Sequence, residues 1–510
     1  MEQLNAHDAM FVQLDNEDWA CHGGMVAIYD PSTAPGGTVR MRDILDHLER
    51  RLSASPIFRR RLVRVPLDLD NPYWVEDEHF DLEFHVRHIR LPEPGDWRQL
   101  CIQVAQLHSR PIDLNRPPWE MWVIEGIDHV DGIRAGSYAI FTKLHHAAVD
   151  GHSMRDLISG IHDLTPEVTD TPQHDDWKPE PRPRDAWILS RAAVNNLVRG
   201  PLRTARATVG SVPAAARFLP SALLDRSKDR SPLIPRTVPR TRFQAEITPH
   251  RVFDGRGFGL DEVKQMRKLA DGATVNDVIV TIVGGAVRRY LEAKDETPTE
   301  ELICGAPVDL RKGEESLAGN DIAFIAIALG ADIADPIERM RRVRESSAAA
   351  KQMSQAVGAK QLSELSASFP GALQSWGFKA LAYSQLMFGA RRPTYNVGVS
   401  NVPGPQFPLY MNGARAERFL GVAPVFHGTA LVFGVFSYRG RIDVTFTSCR
   451  GVVPDPAFLA DCLQASYDEL LAITQSRAAQ PDALATPTRP GRNRSATSRN
   501  SVTGSARPRR

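Results

Sequence analysis

The sequence predicts a mixed α/β (α+β) protein with two subdomains that are separated by a connector of different composition. A chain of 510 residues is long enough for two or more domains. Strand-like alternation and helical periodicity follow one another in residues 1–165, and they do so again in residues 250–475. Residues 166–249 are rich in proline and basic side chains, which is typical of a crossover between subdomains.

The N-terminal subdomain, residues 1–165, contains both strand and helix patterns. Apolar residues at alternating positions predict strands, and apolar residues three or four positions apart predict helices. The predicted strands are Gly24–Asp30, Phe80–Leu91, Trp119–Glu125 and Ser137–Leu144, and the predicted helices are Met41–Leu52, Trp97–His108 and His152–Leu164.

The connector, residues 166–249, allows two interpretations. Residues 166–181 are polar and proline-rich, and residues 185–230 form two weakly amphipathic segments with eight Lys or Arg against three Asp. A basic amphipathic segment can lie on an anionic membrane surface. A helical crossover with a solvated basic face has the same composition, so both interpretations stay open.

The C-terminal subdomain, residues 250–475, again alternates between the two patterns, and residues 476–510 form a basic tail that is predicted to be disordered. The apolar stretch Phe419–Phe436 is interrupted by Pro424 and Gly428, which favours two short buried strands over a membrane span. The predicted helices are Asn276–Leu291, Pro336–Gln352, Leu373–Met387 and Asp455–Ile473, and the predicted strands are Leu302–Val308, Ile322–Leu329, Thr394–Ser400, Ala430–Tyr438 and Arg441–Ser448.

The composition excludes several classes of protein. The formal net charge is +1, so no basic excess points to nucleic acid. The five cysteines are scattered, odd in number and lack CxxC spacing, which argues against a disulfide framework or a cysteine zinc site and favours a cytoplasmic location. The first residues carry acidic side chains and no apolar core, unlike a signal peptide.

The most informative motif is the run Lys143–Gly151, which contains His145, His146, Asp150 and Gly151. The two histidines lie where a strand ends and a turn begins, so their side chains point to opposite faces. One imidazole can serve as a general base near neutral pH while the other packs into the wall. Gly151 permits a tight turn and Asp150 can lock it, whereas the spacing does not favour a metal site.

Two further sets of polar residues are candidates for positioning a substrate or stabilising an oxyanion. Asn276 is a plausible N-cap of a helix, with Asp277 next to it, and a helix N-terminus offers free N–H groups. Ser400 and Asn401 end a strand before a Pro-Gly-Pro turn, where a plain turn cap is the alternative. Ser400 lacks the G-x-S-x-G context of a hydrolase nucleophile, and no phosphate-binding glycine motif is present.

These motifs together resemble the bacterial wax ester synthase/acyl-CoA:diacylglycerol acyltransferase family over about residues 4–475. HHxxxDG is followed downstream by the Asn276-Asp277 helix start and the SNVPGP turn. Leu4–Phe11 is similar to the family's LSPLDAMF, and Pro111–Glu120 is similar to PLDRSRPLWE, except that Pro118 replaces a leucine. Pro307–Arg311 with Gly319-Asn320 matches a further family pattern.

The resemblance implies two chloramphenicol-acetyltransferase-like subdomains joined by a helical crossover, with an active-site tunnel at their interface. It implies transfer of an acyl group from acyl-CoA to diacylglycerol or a fatty alcohol, without a cofactor or a metal. His146 would be the general base, His145 would orient or line the site, and Asn276 would stabilise the oxyanion. The enzyme is expected in the cytoplasm, with peripheral contact to the inner face of the membrane or to lipid droplets.

Three alternatives remain open at this point. The first is a related acyltransferase with another hydroxyl acceptor, because acceptor choice depends on the shape of the tunnel. The second is a weakly catalytic lipid-binding or lipid-droplet surface protein that uses the connector and the basic tail. The third is a peptide-synthetase condensation domain, which the absence of a carrier-protein or adenylation region disfavours.

Overall fold

A computed structural model describes most of the two predicted subdomains. The described residues are 1–52, 55–148, 158–168, 181, 183–199, 238–309, 322–356 and 394–479. The predicted helix Leu373–Met387, the start of the predicted helix His152–Leu164 and most of the basic tail lie outside them.

The described residues form strands that lie in three sheets. The strands are β1 (Glu2–Gln3), β2 (His22–Asp30), β3 (Arg60–Val63), β4 (Tyr73–Glu76), β5 (Val86–Arg90), β6 (Trp119–Ile127), β7 (Ser137–His145), β8 (Arg251–Gly259), β9 (Ile303–Asp309), β10 (Ile322–Ala328), β11 (Val397–Pro403), β12 (Tyr410–Met411), β13 (Ala414–Val422), β14 (Leu431–Tyr438) and β15 (Arg441–Cys449).

Helices cover the sheets and connect their strands. They are α1 (Ala6–Leu14), α2 (Met41–Leu52), α3 (Leu82–His85), α4 (Trp97–His108), α5 (Asp185–Val194), α6 (Leu260–Met266), α7 (Val275–Glu292), α8 (Pro336–Ala356) and α9 (Pro456–Ala479).

Two six-stranded sheets form most of the described structure. The order β12-β13-β2-β7-β6-β5 forms the N-terminal sheet, and the order β10-β9-β11-β14-β15-β8 forms the C-terminal sheet. A small third sheet has the order β1-β4-β3. Strand β7 lies at the centre of the N-terminal sheet, and all nine of its residues are buried. The residues that follow β7 are therefore fixed by a well-packed core.

Two strands from the C-terminal part of the chain, β12 and β13, belong to the N-terminal sheet. Strand β13 pairs antiparallel with β2, so that Val422 lies opposite Gly24 and Phe419 opposite Ala27. Phe419 joins the apolar core of the N-terminal half. The N-terminal and C-terminal halves of the protein, which correspond to the two predicted subdomains, are therefore joined by a shared sheet as well as by the connector.

Most predicted elements are confirmed, within a few residues at their ends. Helices Met41–Leu52 and Trp97–His108 have the predicted bounds. Helix α4 begins at a capping box, because the Asp96 side chain accepts from the Gln99 N–H at 2.8 Å and the Asp96 N–H donates to Oε1 of Gln99 at 3.2 Å. The stretch Phe419–Phe436 is two strands, as predicted, because β13 ends at Val422 and β14 begins beyond the turn.

The prediction of one continuous strand over Phe80–Leu91 is wrong. The Asp81 side chain accepts a hydrogen bond from the Glu83 N–H at 3.0 Å and caps the short helix α3, and strand β5 begins only at Val86. An Asp side chain that bonds a nearby backbone N–H favours a helix start over a strand. The closing helix is also longer than predicted, since α9 extends to Ala479.

None of the helices in the described part of the chain combines the length and the apolar character needed to cross a lipid bilayer.

Candidate active site at the end of strand β7

The two histidines follow directly from the end of the central strand. His145 is the last residue of β7 and lies opposite His22 of β2. His146 begins a turn that includes residues 146–148. The sequence prediction that the pair lies at a strand end is therefore confirmed. Asp150 and Gly151, the predicted buttress of this turn, lie outside the described residues.

His145 is held inside the protein by contacts on both ring nitrogens. Its side chain is 1% exposed, and Nδ1 accepts a hydrogen bond from the Ala147 N–H at 3.1 Å. A neutral imidazole that accepts at Nδ1 carries its proton on Nε2. That Nε2 lies 3.6 Å from Oδ1 of Asp15. His145 is therefore in position to support the turn.

His146 is only half-buried, and its ring lies beside Phe11 and Gly23. Its N–H donates to the Cys21 carbonyl at 2.9 Å, and its ring stacks on Phe11 with the centroids 5.2 Å apart. A Cβ atom on Gly23 would lie 3.4 Å from Nε2 of His146 and 3.5 Å from the Val422 carbonyl oxygen. The Nε2 atom is buried, and because Gly23 has no side chain strand β2 can approach it closely.

A group of buried basic residues lies beside the histidine motif. His22 donates from Nε2 to the His108 carbonyl at 2.9 Å, and the two rings meet edge to face. Burial lowers the pKa of both imidazoles well below the usual value, so both are neutral at neutral pH. Burial also lowers the pKa of Lys143, whose Nζ lies 2.7 Å from the Arg110 carbonyl and 3.3 Å from Glu120.

Asn276 is not the N-cap of helix α7, and that prediction is wrong. Thr274 caps the helix, and Asn276 is its second residue. Both residue types are good caps, but only Thr274 has an acidic residue three positions later that completes a capping box. The side chain of Asn276 is consequently available for other contacts. Its Oδ1 accepts a hydrogen bond from Nδ2 of Asn401 at 3.1 Å.

Asn276 and Asn401 line one cavity of about 340 Å³ on the helical side of the C-terminal sheet. Its other walls are mostly apolar and include Val275, Ile325 and Ile442. In the assigned orientation of the amides, Asn401 donates to Asn276, so the NH₂ group of Asn276 remains able to donate elsewhere. The structure therefore brings these two candidate residues together.

Asp277 has a structural part in the start of helix α7. It is 2% exposed, and its Oδ2 accepts from both the N–H and the hydroxyl of Thr274 at 2.8 Å. The Asp277 N–H donates to the Thr274 hydroxyl oxygen at 3.2 Å. These contacts explain the presence of an acidic residue at this position without a contact to substrate.

Ser400 and Asn401 are neighbours in β11 but lie on opposite faces of the strand. Val399 and Asn401 line the cavity. Ser400 pairs with Gly434 of β14, and Val402, on the same face as Ser400, packs against the apolar core of the N-terminal half. Ser400 is therefore not brought into the cavity with Asn276.

Four residues near the motif had no role in the sequence analysis: Phe11, Asp15, Cys21 and Gly23. They lie in or just after the segment LNAHDAMF, more than a hundred positions from His146 in the chain. The one local signal was the pair Gly23-Gly24 at the start of the predicted strand Gly24–Asp30, because glycine in a strand often marks a close approach of another group. Within the described ranges, no group of three or more His, Cys, Asp or Glu side chains is arranged to hold a metal ion.

Two family models match the chain. The model described as wax ester synthase/diacylglycerol acyltransferase catalytic domain matches residues 4–279. The model described as WS/DGAT C-terminal domain matches residues 318–471.

Similar proteins and solved structures cover nearly the whole chain. A Mycobacterium tuberculosis protein named "Putative diacyglycerol O-acyltransferase Rv3087" is 32% identical over 492 residues, which is 95% of this chain and 100% of that protein. The structure of a wax ester synthase/diacylglycerol acyltransferase from Marinobacter aquaeolei VT8 has a TM-score of 0.65 and 26% identity, and covers 93% of this chain and 100% of that chain.

A more distant structure shares the fold alone. The trichothecene 15-O-acetyltransferase from Fusarium sporotrichioides has a TM-score of 0.54 at 12% identity and covers 93% of this chain and 94% of that chain.

The capping arrangement predicts different effects of two substitutions that lie two positions apart. Thr274→Ala removes the capping side chain and is expected to lower the free energy of unfolding by about 0.5–2 kcal/mol. Asn276→Ala removes no cap and is expected to change it by less than about 0.5 kcal/mol. Denaturant unfolding followed by circular dichroism measures both. A larger loss for Asn276→Ala than for Thr274→Ala would contradict the assignment of the cap.

Proposed function

The chain belongs to the wax ester synthase/diacylglycerol acyltransferase family of acyltransferases, and we propose that it esterifies the free hydroxyl of a diacylglycerol with the acyl group of an acyl-CoA. The product is a triacylglycerol, a storage lipid. A long-chain alcohol, which would give a wax ester, is the second acceptor class that we propose. The observation that carries the proposal is the His146 imidazole at the end of β7, which stacks on Phe11 and has its Nε2 buried beside Gly23.

In the proposed reaction, His146 acts as a general base on the acceptor. Its Nε2 takes the proton from the hydroxyl as the oxygen attacks the carbonyl carbon of the thioester. Proton transfer by a positioned side chain contributes about 10²–10⁴-fold to the rate. The fixed backbone of His146 and the stacked ring of Phe11 support this role, because they restrict the direction of Nε2.

The tetrahedral intermediate carries a negative charge on the former carbonyl oxygen. We assign the NH₂ group of Asn276 as its hydrogen-bond donor, since Asn401 occupies the oxygen of the same amide. The intermediate then collapses, the carbon–sulfur bond breaks, and the CoA thiolate takes the proton from the His146 imidazolium. The proton that leaves the acceptor hydroxyl therefore ends on the CoA thiol. The proposed reaction uses no cofactor beyond the acyl-CoA substrate and no metal.

His145, Asp150 and Gly151 support the base in this proposal. The Nδ1 atom of His145 binds the turn that carries His146. For Asp150 and Gly151 the roles are those expected from the sequence, where Gly151 allows the turn and Asp150 locks it. Ser400 lies on a different face from Asn401, so it has no step of its own in the reaction.

We further propose that helix α5 and the residues that follow it rest on an anionic lipid surface. Ile188 and Ala192 are buried against the small sheet, which leaves the opposite face in contact with solvent. The segment exposes the apolar side chains Trp187, Leu189, Val194, Leu197 and Val198. The basic side chains Arg184, Arg191 and Arg199 are exposed in the same segment, and Arg191 lies 5.3 Å from the centroid of the Trp187 ring.

This surface fits a membrane because it combines aromatic and aliphatic side chains with cations. Apolar groups insert at the boundary between headgroups and acyl chains, and arginines are attracted to anionic headgroups. A diacylglycerol is itself dissolved in a lipid phase, so peripheral binding would bring the enzyme to its acceptor. We propose a cytoplasmic enzyme at the inner membrane face or on lipid droplets, which also suits five free, buried cysteines.

The base assignment predicts a large loss of activity in His146→Ala. Purified protein is incubated with radiolabelled palmitoyl-CoA and either diacylglycerol or hexadecanol, and the labelled esters are separated and counted. The variant is expected to lose about 10²–10⁴-fold in kcat. His88→Ala, which changes a half-exposed histidine on β5 that pairs with Glu125, is the matched control and should keep full activity.

The outcomes of this assay are distinct. Equal rates for the wild type and His146→Ala would remove the base assignment. A wild type that forms neither ester would remove both proposed acceptors and favour a lipid-binding role. The ratio of the two esters ranks diacylglycerol against the long-chain alcohol.

The oxyanion assignment predicts that Asn276→Ala lowers kcat by about 10²–10³-fold, because one preorganised donor is lost. Asn276→Asp should be equally impaired, since a carboxylate cannot donate. Asn401→Ala should have a smaller effect because it only removes the orienting partner. Thr274→Ala is the control that is less stable yet active. Full activity of Asn276→Ala would exclude it as a donor.

The lipid surface predicts salt-sensitive binding to vesicles. Co-sedimentation with phosphatidylglycerol vesicles should exceed that with phosphatidylcholine vesicles. The double change Leu197→Ser and Val198→Ser should weaken it, and each of Arg191→Gln and Arg199→Gln should weaken it about fivefold, or about 1 kcal/mol. Phe407→Ser, which removes an exposed aromatic side chain from another surface, is the control. Unchanged binding by all variants of this segment would exclude it as the lipid contact.

A further inference from the structure

The turn that carries His146 is held by three successive backbone N–H groups. His146 N–H donates to the Cys21 carbonyl at 2.9 Å. Ala147 N–H donates to the ring of His145 at 3.1 Å, and Ala148 N–H donates to the His145 carbonyl at 2.9 Å. The direction of the His146 side chain therefore depends on where Cys21 lies and on which nitrogen of His145 can accept.

One carboxylate contacts both of these supports. Asp15 follows the last residue of α1, and its Oδ1 accepts from the Cys21 N–H at 2.7 Å. The same Oδ1 lies 3.6 Å from Nε2 of His145, and the two side chains are 12% and 1% exposed. An interaction between groups so little exposed to water is screened far less than one on the surface.

The position of Asp15 selects one tautomer of His145. Nδ1 of His145 must carry a lone pair, because it accepts from the Ala147 N–H. The proton then lies on Nε2, which faces the carboxylate. The separation of 3.6 Å is longer than a hydrogen bond, so the contact is electrostatic. The opposite tautomer would direct a lone pair at the carboxylate and an N–H at the Ala147 N–H, and both contacts would be repulsive.

We propose that Asp15 is a positioning residue for the acyl-transfer reaction, acting on His146 through His145 and Cys21. The inference rests on the proposed role of His146 as the base. The end of α1 also contacts the imidazole directly, since Phe11 stacks on the His146 ring and the Asp15 N–H donates to the Phe11 carbonyl at 3.1 Å. One helical turn thus holds both the ring and the backbone of the proposed base.

Asp15→Asn separates the charge of the side chain from its shape. The amide oxygen can still accept from the Cys21 N–H, but the negative charge that faces His145 is gone. Removing a group that orients an imidazole commonly costs about 10–100-fold, and we expect a loss of that size in kcat with little change in the KM for acyl-CoA. Glu17→Gln, which changes an exposed acid in the same loop, is the matched control and should behave as the wild type.

Asp15→Glu and a double-mutant cycle test the route of the effect. Asp15→Glu keeps the charge and should retain more activity than Asp15→Asn; an equal loss would overturn the proposal. In a His145→Gln background, Asp15→Asn should cause little further loss, because the two residues act through one contact. If the double variant instead loses activity by the product of the two single losses, Asp15 does not act through His145. A wild-type kcat for Asp15→Asn would also overturn the proposal. Thermal melting of each variant checks that it is folded.

A spectroscopic measurement tests the inference without any activity assay. Protein labelled with ¹⁵N-histidine contains 15 histidines, and the signals of His145 are assigned by their absence in His145→Gln. In the wild type, long-range ¹H–¹⁵N spectra should show His145 with its proton on Nε2, and Asp15→Asn should shift the population toward the other tautomer. A wild-type signal from the Nδ1–H tautomer, or no shift in the variant, would overturn the proposal.

The two kinds of failure remain distinguishable. If the wild type forms no ester with any acceptor, the proposed function fails while the tautomer measurement still tests Asp15. If the wild type is active and His146→Ala is not, but Asp15→Asn matches the wild type in rate and spectrum, the proposed function stands and the role of Asp15 falls.

Discussion

The antiparallel pairing of β13 with β2 is the contact on which the arrangement of the site depends. It places β13, from the C-terminal part of the chain, beside β2. The other neighbour of β2 in the sheet is β7, the strand that ends at His145. The opposite face of β13 meets the C-terminal sheet, where the Thr445 hydroxyl lies 2.5 Å from the Gly421 carbonyl and 3.0 Å from the Gly434 carbonyl. A Cβ on Gly434 would lie 3.0 Å from the Gly421 oxygen, so glycine at this position favours the close approach of the two sheets. His146 lies at the edge of this seam, beside the end of β13.

The buried basic residues near the motif explain how a positive charge could form on His146 during the reaction. Burial keeps His22 and His108 neutral, and Lys143 has Glu120 as its counter-ion. A charged His108 would repel an imidazolium at position 146, since the two rings are close enough to interact electrostatically. Because His108 is neutral at neutral pH, it does not repel a positive charge on the proposed base.

The sequence predicted the local features of the fold and site better than the contacts between distant segments. Helices such as Met41–Leu52 were predictable because their periodicity is strong, and the turn at His146 was predictable because a strand pattern ends there. The prediction of a continuous strand over Phe80–Leu91 was wrong because the Asp81 side chain caps a short helix there. The pairing of β13 with β2, and the contacts of Asp15 and Cys21 with the histidines, join residues far apart in the chain. Neither hydrophobic periodicity nor motif spacing in a single sequence indicates which distant segments will pair.

The start of α7 shows why a side chain, and not the helix terminus itself, is the better oxyanion donor. Thr274 and Asp277 satisfy each other's backbone N–H groups, and the Asp277 carboxylate already occupies the positive end of the helix dipole. An oxyanion at the helix end would lie beside that carboxylate and be repelled by its negative charge. The NH₂ of Asn276 is not part of the capping box, and Asn401 fixes the orientation of the amide from the neighbouring strand. The N-terminal half would then supply the base and the C-terminal half the donor, so the reaction would require both halves to hold their substrates at once.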